Sequence, residues 1–349
     1  MEIIVSIVIP FYCTPKPLFN KCMESILGVR SNEIEIIVID DGSSEEYLPI
    51  VDYYVNNPQV KIIHKKNAGV SAARNRGIQE ASGKWVLFCD SDDYVNTDAL
   101  KEVLMYAKTH SGDVVLFNGG CDKEGKISYN TTFLRQGINY AANEKKRIAI
   151  MESALSVGQI PEGYRQYFSL GAPVCKLLRT NFLKEHNLLF DTNVKFAEDT
   201  LFSLQVYNKA EDIRFINLIF YYYVFYRQSA TRRYRPGISV DMDVFFERAE
   251  RFLKDNELTD KLGKAYYVRA EFETGRAMVL DFFHPKNDSK NANASYLSFI
   301  QKEPYRTALA CDNLSKRSIK QKIKRYLIQR GYFRLFNIGR SIIAVFSKP

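Results

Sequence analysis

The regular alternation of apolar and amphipathic segments over residues 1–110 is the feature that most limits the fold of this chain. The short runs rich in Ile and Val predict buried strands, and the longer segments between them predict helices. Such a pattern is typical of an α/β fold: a mostly parallel, Rossmann-like sheet with helices on both faces. The predicted strands are 3–9, 35–39, 60–64 and 84–89, and the predicted helices are 16–28, 44–56, 70–82 and 97–109.

Beyond residue 110 the alternation becomes less regular. Residues 113–118 resemble one more strand, residues 120–165 are polar and predict an irregular, flexible region, and residues 240–283 have a helical pattern. We therefore expect one large domain followed by helical appendages. The predicted divisions are a domain at 1–235 with halves 1–110 and 111–235, a helical extension at 236–310 and a basic tail at 311–349.

The net charge of +9 is concentrated near the C-terminal end. Residues 316–349 contain ten Lys or Arg and no Asp or Glu, so the rest of the chain carries a net charge of −1. A nucleic-acid-binding domain would be basic along its binding face, which this distribution does not favour.

The spacing of the cysteines and the N-terminal residues indicate in which compartment of the cell the protein is expected. The six cysteines form no CxxC pair, which argues against a zinc site and a disulfide framework. Met1–Pro10 lacks the basic start and the cleavage site of a signal peptide. No uncharged apolar stretch reaches the roughly 18 residues that a transmembrane helix needs. We therefore expect a cytoplasmic protein.

An acidic cluster, Asp90–Asp93, directly follows the fourth predicted strand. Ligands of parallel sheets bind outside the carboxyl ends of the strands, so the cluster lies where a ligand is expected. Three carboxylates in four residues repel one another unless they share a cation. Mg²⁺ and Mn²⁺ prefer such oxygens and bridge them to diphosphates. The alternative is a helix cap by Asp93 or Thr97, but a cap needs only one acid.

Other polar segments follow the neighbouring strands. Asp40 and Asp41 end the second strand, and an acid there can bind a base or a ribose hydroxyl, although Gly42 and the serines after it also suit a plain turn. Arg74 lies one turn into the third helix, whose N-terminus attracts anions. The alternative for Arg74 is a solvated helix surface. Pro10–Tyr12 leaves the first strand and offers a flat wall for a nucleobase.

Four segments together resemble the motifs of the GT-A-fold family 2 glycosyltransferases in order and spacing. They are Ile7–Tyr12, Val38–Ser43, Asn67–Asn75 and Asp90–Asp93. The resemblance is strong over residues 5–110 and continues more loosely to about 235. It implies a nucleotide-binding half at 1–110 and an acceptor half at 111–235.

The resemblance implies transfer of a sugar from a nucleotide donor, with inversion at the anomeric carbon and help from Mn²⁺ or Mg²⁺. It implies that Asp41 contacts the base, Arg74 the nucleoside and Asp90 the ribose. The metal ligands implied are Asp92, Asp90 and Asp93. The other residues that we expect at the nucleotide are Pro10, Phe11, Tyr12, Asp40, Asn67 and Ser91.

The resemblance also implies a base for the incoming hydroxyl, in a Glu-Asp pair that opens a helix. Glu198 and Asp199 match this pair, and Asp199 is the predicted base. Without the resemblance, an acidic first turn that complements the helix dipole would be the better interpretation. Arg227 is the predicted cation for the departing diphosphate, although its register departs from the family pattern.

The basic tail alternates cationic and apolar residues, as in Lys316–Leu327. A basic amphipathic helix of this kind suits an anionic membrane surface, so the protein would be peripheral on the inner face of the plasma membrane. Packing on the catalytic domain is the alternative, and nucleic-acid binding is disfavoured. By analogy, a lipid-linked acceptor in bacterial surface-polysaccharide synthesis would suit a membrane-bound enzyme.

Two other functions compete with a transferase. A sugar nucleotidyltransferase needs a glycine-rich basic loop after the first strand, and Phe11–Pro15 contains no glycine. An inactive module that binds a nucleotide or glycan has no need of a base such as Asp199. A UDP-sugar is the donor that the resemblance favours, and the acceptor is a glycan or a lipid-linked sugar.

Overall fold

The computed structural model describes residues 2–130, 132–156, 170–226, 234–287, 289–311 and 319–336. These residues form two compact units. The first contains the described residues up to Ala154 and those from 170 to Tyr226, and the second contains Leu155, Ser156 and the described residues from 234 onward. The domain boundaries expected at 110, 235 and 310 stay predictions.

The first unit alternates strands and helices in its N-terminal part, as the sequence predicts. Its elements are β1 (Val5–Phe11), α1 (Lys16–Leu27), β2 (Ile34–Asp40), α2 (Leu48–Asp52), β3 (Val60–His64), α3 (Val70–Glu80), β4 (Trp85–Phe88), β5 (Tyr94–Val95), α4 (Thr97–Thr109), β6 (Val114–Lys123), β7 (Lys126–Tyr129), α5 (Glu144–Leu155), β8 (Lys176–Arg179), α6 (Thr180–Glu185), α7 (Glu198–Lys209) and β9 (Ile213–Val224).

The second unit is helical in its described residues, as the pattern over 240–283 predicts. Within this part of the chain, no helix is long and apolar enough to cross a membrane. The elements are α8 (Ile238–Asp255), α9 (Thr259–Ala277), a π-helical turn (Met278–Phe282), α10 (Ala292–Phe299), α11 (Tyr305–Ala310) and α12 (Ile319–Gln329).

The strands of the first unit form one mixed sheet in the order β3-β2-β1-β4-β8-β6-β9-β5, and β7 pairs with β6. The four strands from β3 to β4 are parallel, so their carboxyl ends meet at one edge. β8 is antiparallel to both β4 and β6, which returns β6 to the direction of β4. This order gathers the loops after β1, β2, β4 and β6 at the same edge.

β1 is the centre of the core because both of its faces are covered. Val5, Ile7 and Phe11 are fully buried and belong to a cluster with residues of α1 and β4. Val8 points to the other face, where α3 crosses closely enough that a Cβ on Gly77 would lie 2.1 Å from Val8 Cγ1. Each such large apolar side chain contributes about 1.5–3 kcal/mol when buried. The N-terminus of α3 is thereby fixed beside the sheet edge.

Two expectations from the sequence are wrong in detail. Residues 120–165 are not irregular throughout, because they contain a β6–β7 hairpin and helix α5. Glu124 and Gly125, at φ 53° and 83°, form the tight turn of that hairpin. Helix α2 is also much shorter than 44–56, since Pro49 has no N–H and fits only the first helical turn.

The close approach of α3 to β1 predicts the effect of Gly77→Ala. In a helix this change ordinarily stabilises by up to about 1 kcal/mol. Here the new methyl group would overlap Val8, and such overpacking costs about 1–3 kcal/mol. We expect a lower free energy of unfolding by urea denaturation. Gly263→Ala in α9, whose Cβ would meet no atom within 4 Å, is the matched control and should be neutral or stabilising. Equal effects of both changes would contradict this packing.

Candidate active site

The polar residues singled out in the sequence lie at the carboxyl edge of the parallel strands. Asp40 ends β2, His64 ends β3 and Asp90 follows β4 directly. The loops are tied together, because Thr14 Oγ1 and Ser91 Oγ are 2.6 Å apart and the Cys13 N–H donates to Ser43 Oγ at 3.0 Å. The edge is therefore a continuous polar surface.

Arg74 is the centre of this surface and connects two distant parts of the chain. Its side chain is only 6% exposed. One terminal nitrogen donates to Asp90 Oδ1 at 2.9 Å, and the other donates to Glu198 Oε1 at 3.2 Å. The two carboxylates outweigh the effect of burial and raise the guanidinium pKa. The structure thus brings the acidic cluster and the Glu-Asp pair together, through a residue that is not the solvated surface arginine of the alternative interpretation.

Two neighbouring charges shift the pKa of Glu198 in opposite directions. Burial raises the pKa of its carboxyl group, the adjacent Asp199 charge raises it further, and Arg74 opposes both. Asp199 lies at the start of α7, where its Oδ1 accepts from the Thr200 N–H at 2.7 Å. Both acids are only partly exposed. The pair therefore lies beside Asp90 and opens the helix, as the sequence motif predicts.

Asp92 faces the same surface from the acidic cluster. Its Oδ2 accepts a hydrogen bond from the Tyr226 hydroxyl at 2.9 Å. Burial and, second, the charge of Asp90 raise its pKa. Asp90 and Asp92 are therefore two neighbouring carboxylates with too little positive charge around them.

Asp93 points into the protein and not towards this surface, so its role as a metal ligand stays a prediction that its contacts do not favour. Its side chain is buried, and one oxygen accepts from the Tyr221 hydroxyl at 2.5 Å while the other accepts from the Val224 N–H at 2.7 Å. Both oxygens are satisfied inside the protein, and they fix the end of β9 to the acidic loop. Asn96, not Asp93 or Thr97, caps α4 by accepting from the Asp98 and Ala99 N–H groups.

A divalent cation fits this surface only as an open site. In the described part of the chain, no three His, Cys, Asp or Glu side chains are placed to hold a metal. The two remaining acids, Asp90 and Asp92, match the chemistry of Mg²⁺ and Mn²⁺, which take one or two carboxylates and complete their shell with phosphate oxygens and water. One oxygen of each acid is already engaged, by Arg74 in Asp90 and by the Tyr226 hydroxyl in Asp92, so these contacts do not make either acid the better placed ligand.

Asp41 organises the loop between β3 and α3. Its side chain is buried and accepts from the Lys65 ammonium, from the Ala68 N–H at 3.0 Å and from the Gly69 N–H at 2.7 Å. The Asn67 amide donates to the Asp41 carbonyl at 2.8 Å. Gly69 has a φ of 90°, a conformation that favours glycine and turns its N–H towards Asp41. The predicted nucleoside contacts Asp41 and Asn67 thus lie together, with their polar groups already paired.

Asp40 is a structural residue, and its predicted nucleotide contact is not supported. It is 1% exposed. Its Oδ1 accepts from the Ser43 N–H at 3.0 Å, and its Oδ2 lies 2.8 Å from His64 Nδ1. The other imidazole nitrogen lies 3.1 Å from Asp52 Oδ1. Asp40 therefore closes the turn after β2 and holds the end of β3.

The loop after β1 places its three predicted residues differently. Phe11 is fully buried and packs edge-on against Phe19, so its ring cannot be a wall for a nucleobase. Pro10 is part of β1, whereas Tyr12 is 58% exposed and can contact a base. Ser91 is buried by its bond with Thr14, so it links loops and does not face a ligand.

Three residues of the site surroundings were missed by sequence reasoning. Thr14 and Tyr226 contact the acidic cluster, and Lys176 is a buried lysine in β8. The sequence offered a weak signal for Lys176, since it lies in the segment Cys175–Arg179 upstream of the Glu-Asp pair. The predicted cation Arg227 lies outside the described residues.

Comparisons with known proteins relate the sequence to one family and the fold to solved structures. Residues 6–157 match the sequence family described as Glycosyl transferase family 2. The EpsJ glycosyltransferase of Bacillus subtilis is 29% identical over 221 residues, which are 63% of this chain and 60% of that protein. The poly(ribitol-phosphate) beta-N-acetylglucosaminyltransferase TarS of Staphylococcus aureus is 28% identical over 228 residues, which are 64% of this chain and 36% of TarS.

Solved structures show the same fold. The structure of S. aureus TarS 1–349 in complex with UDP-GlcNAc matches with a TM-score of 0.62 at 23% identity, and covers 98% of this chain and 91% of that one. Such a sheet with an acidic cluster at its carboxyl edge defines a GT-A-fold protein. The chain resembles the proteins of glycosyltransferase family 2 over residues 6–157, the part that matches that family.

The contact between His64 and two carboxylates predicts a pH-dependent stability. The hydrogen bond to Asp40 is the largest cause of the raised His64 pKa, and Asp52 adds to it. A folded-state pKa above the unfolded value of about 6.5 stabilises the protein at low pH and ceases to do so as the pH rises through the folded value. We expect the contribution of His64 to lower the free energy of unfolding of the wild type as the pH rises from about 6 to 8. His64→Gln should abolish this pH-dependent change.

Urea denaturation across this pH range measures the effect. His186→Gln, which changes an exposed histidine elsewhere in the first unit, is the matched control and should keep the wild-type dependence. An unchanged slope in His64→Gln would show that the imidazole does not titrate with folding.

Proposed function

We propose that this chain transfers a sugar from a nucleotide-diphosphate sugar to a hydroxyl of a glycan or lipid-linked acceptor in cell-surface polysaccharide synthesis. The reaction is a single displacement with inversion at the anomeric carbon, and Asp199 is the base. A hexosyl or N-acetylhexosaminyl unit from a UDP-sugar is the substrate class. Support for UDP comes from the TarS structure with bound UDP-GlcNAc, and for the acceptor class from the relatives named after poly(ribitol-phosphate).

The observation that carries this proposal is the bridge through Arg74. The acidic cluster after β4 would face the diphosphate, and the Glu-Asp pair of α7 would face the acceptor. Arg74 contacts Asp90 and Glu198 at once, although the sequence separates Glu198 from Arg74 by 124 positions. Donor-side and acceptor-side residues therefore lie within one side chain's reach, as a direct displacement requires.

In the proposed reaction, Asp199 takes the proton of the acceptor hydroxyl as its oxygen attacks the anomeric carbon. The bond from that carbon to the diphosphate oxygen breaks, and the nucleoside diphosphate leaves with the bonding electrons. Arg74 holds Glu198 beside the base, and its second contact keeps Asp90 in place. Arg227 stays the proposed cation for the leaving diphosphate.

On the donor side, Tyr12 would stack against the base, while Asp41 and Asn67 contact the nucleoside after exchanging some of their present partners. Asp90 would reach the ribose and share the cation with Asp92. When bound there, Mn²⁺ or Mg²⁺ would neutralise charge on the diphosphate and so favour its departure. Asp92 and Asp90 are the chain's own contributions to that site.

The alternative interpretation of the Glu-Asp pair, an acidic turn that complements the helix dipole, gives a direct test. Asp199→Asn removes the base but keeps the side-chain volume, so we expect the release of UDP from a UDP-sugar to fall at least a hundredfold. Binding of UDP with Mn²⁺ in isothermal titration should be unchanged. Asp98→Asn is the matched control, because Asp98 also lies in the first turn of a helix but is 87% exposed and outside the site.

The outcome separates three functions. An inactive binding module would bind UDP without turnover in the wild type as well. If Asp199 were purely structural, Asp199→Asn would lower the free energy of unfolding by the same small amount as Asp98→Asn, about 0.3–1 kcal/mol, and would keep the turnover of the wild type. Either result would overturn the assignment of the base.

We also propose that α12 binds an anionic membrane surface. One face of this helix is anchored within the second unit: Ile328 is buried, its carbonyl accepts from the Tyr296 hydroxyl at 3.1 Å, and Arg325 donates to the Cys311 carbonyl at 2.9 Å. The opposite face leaves Ile319 and Ile323 at 77% and 55% exposure. The exposed cations around them are Lys322, Lys324, Arg330 and Arg334.

The positive charge of α12 favours an anionic partner. The sequence after Asp312 contains no acidic residue, so the charged side chains of α12 itself are all cations. Anionic lipid headgroups attract such cations, and the acyl boundary accepts the apolar side chains. A membrane-bound enzyme would be held at the same membrane as a lipid-linked acceptor.

Vesicle co-sedimentation tests this surface. Ile323→Glu should weaken binding to vesicles that contain phosphatidylglycerol by about tenfold or more, since burial of one isoleucine contributes about 1.5–3 kcal/mol. Met105→Glu in α4, which alters an equally exposed apolar residue of the first unit, should bind like wild type. Binding that is equal for the two variants, or equal for neutral and anionic vesicles, would contradict the proposal.

A further inference from the structure

The first unit contains an open cavity beside β6 and β9 that the candidate active site does not include. Its volume is about 460 Å³, which falls within the roughly 300–1,000 Å³ of small-molecule sites. Four amide side chains line it, those of Asn118, Asn130, Gln136 and Asn217. We name it the amide cavity.

An irregularity in the pairing of β6 with β9 builds the polar wall of this cavity. Asn217 and Leu218 of β9 lie between the residues that pair with Phe117 and Asn118 of β6, and have no partner of their own in that strand. Such a bulge takes a side chain out of the regular alternation of the strand and is common beside active sites. Here Asn118 Nδ2 donates to Asn217 Oδ1 at 2.7 Å. The bulge therefore holds two amides side by side.

The amide pair has unused capacity for hydrogen bonds. An amide side chain offers two N–H donors and two acceptor lone pairs. Within the described part of the chain, the bond between Asn118 and Asn217 is the one side-chain hydrogen bond that either residue makes. Asn118 is nevertheless only 6% exposed. Because buried polar atoms are ordinarily paired, this wall is suited to a ligand that both donates and accepts.

The lining of the amide cavity matches a sugar or a polyol. Hydroxyl groups donate and accept hydrogen bonds, as amide side chains do, so one amide can pair with more than one hydroxyl. Leu134 and Phe215 add apolar surface for the C–H groups between the hydroxyls. Arg135 adds a positive charge, and none of the described residues that line the cavity is an Asp or Glu. The cavity therefore favours a neutral or anionic chain over a cationic one.

The wall of the amide cavity is fastened to the helix that carries the Glu-Asp pair. A narrower recess shares Asn118 and Asn130 with the cavity and is also lined by Leu170. The Leu170 carbonyl accepts from the Tyr207 hydroxyl of α7 at 2.8 Å. Tyr207 lies eight residues after Asp199 in α7, which is about 12 Å along the helix axis. An acceptor of several units would therefore extend from Asp199 to the cavity.

We propose that the amide cavity is a subsite for a sugar or polyol unit of the acceptor, separate from the unit whose hydroxyl reacts. The proposal rests on the proposed function, because it is that reaction which calls for an acceptor. Asn118 and Asn217 contact the hydroxyls of the bound unit, and Leu134 and Phe215 contact its C–H groups. The acceptor is then a chain of several hydroxyl-bearing units and not a single small molecule.

Saturation-transfer NMR of the whole protein with ribitol or methyl β-glucoside tests the cavity. We expect transfer to at least one probe in the wild type, and the probe that binds tells whether the unit is a polyol or a sugar. Asn217→Leu keeps the side-chain volume but removes the amide, so Kd for that probe should rise about two- to tenfold, the effect of one or two hydrogen bonds. Asn56→Leu, which changes an exposed asparagine outside the cavity, is the matched control and should bind like wild type.

Urea denaturation verifies that both variants fold. Gln136→Ala changes an exposed residue of the lining, so it should fold like wild type and should also raise Kd for the probe. Absence of transfer to both probes in the wild type would overturn the proposal, as would a Kd that Asn217→Leu and Gln136→Ala leave unchanged. Failure of the proposed function has a different signature, since the wild type would then bind the probe but release no UDP from a UDP-sugar.

Discussion

The candidate site depends on one buried cation, Arg74. A guanidinium taken out of water is stable only where carboxylates pair with it, and here Asp90 and Glu198 do so from two parts of the chain. Removal of Arg74 would leave both carboxylates without this cation, which is the costly case for buried ion pairs. The position of α7 relative to the acidic loop is therefore tied to electrostatics as well as to apolar packing.

The packing of α3 on the sheet places Arg74 for this interaction. Gly77 allows α3 to lie directly on Val8 of β1, so the first turns of α3 reach the edge where β4 ends. Arg74 lies one turn before Gly77 on the same helix. The antiparallel insertion of β8 beside β4 then leads the chain into the segment that precedes α7. The local sequence thus determines how α3 packs on the sheet, and this packing positions Arg74. Arg74 in turn connects the two parts of the candidate site.

How much of this was predictable differs from residue to residue. Strand–helix order over residues 1–110 and the gathering of acids at one edge follow from apolar periodicity and from the rule for parallel sheets. These two rules do not predict which acid faces inward. Asp93 differs from its neighbour Asp92 in the direction of the side chain, whereas Asp40 and Asp41 are both buried and pair with different groups. These arrangements depend on distant partners such as Tyr221 and His64. Those partners are far away in sequence, so a local motif cannot identify them.

The burial of Phe11 and Ser91 has the same origin. A motif tells which residues occur at a strand end, but the packing of other segments decides which of them are buried: Phe11 lies against Phe19 of α1, and Ser91 contacts Thr14. Lys176 shows the converse case. Its neighbours in sequence are apolar, and only the fold places it beside Tyr207 of α7. The burial of such a lysine leaves little trace in the local sequence.

The balance of charge bears on the proposed nucleotide-diphosphate donor. Asp90, Asp92, Glu198 and Asp199 are the acids of the candidate site, and the buried cation Arg74 contacts two of them. A surplus of negative charge would repel a diphosphate, which is itself anionic, so the acids alone would oppose donor binding. In the proposed reaction, Asp90 and Asp92 would hold a divalent cation that offsets this repulsion. Arg74 would then hold the site together, while the cation bound with the donor would compensate the charge of the substrate.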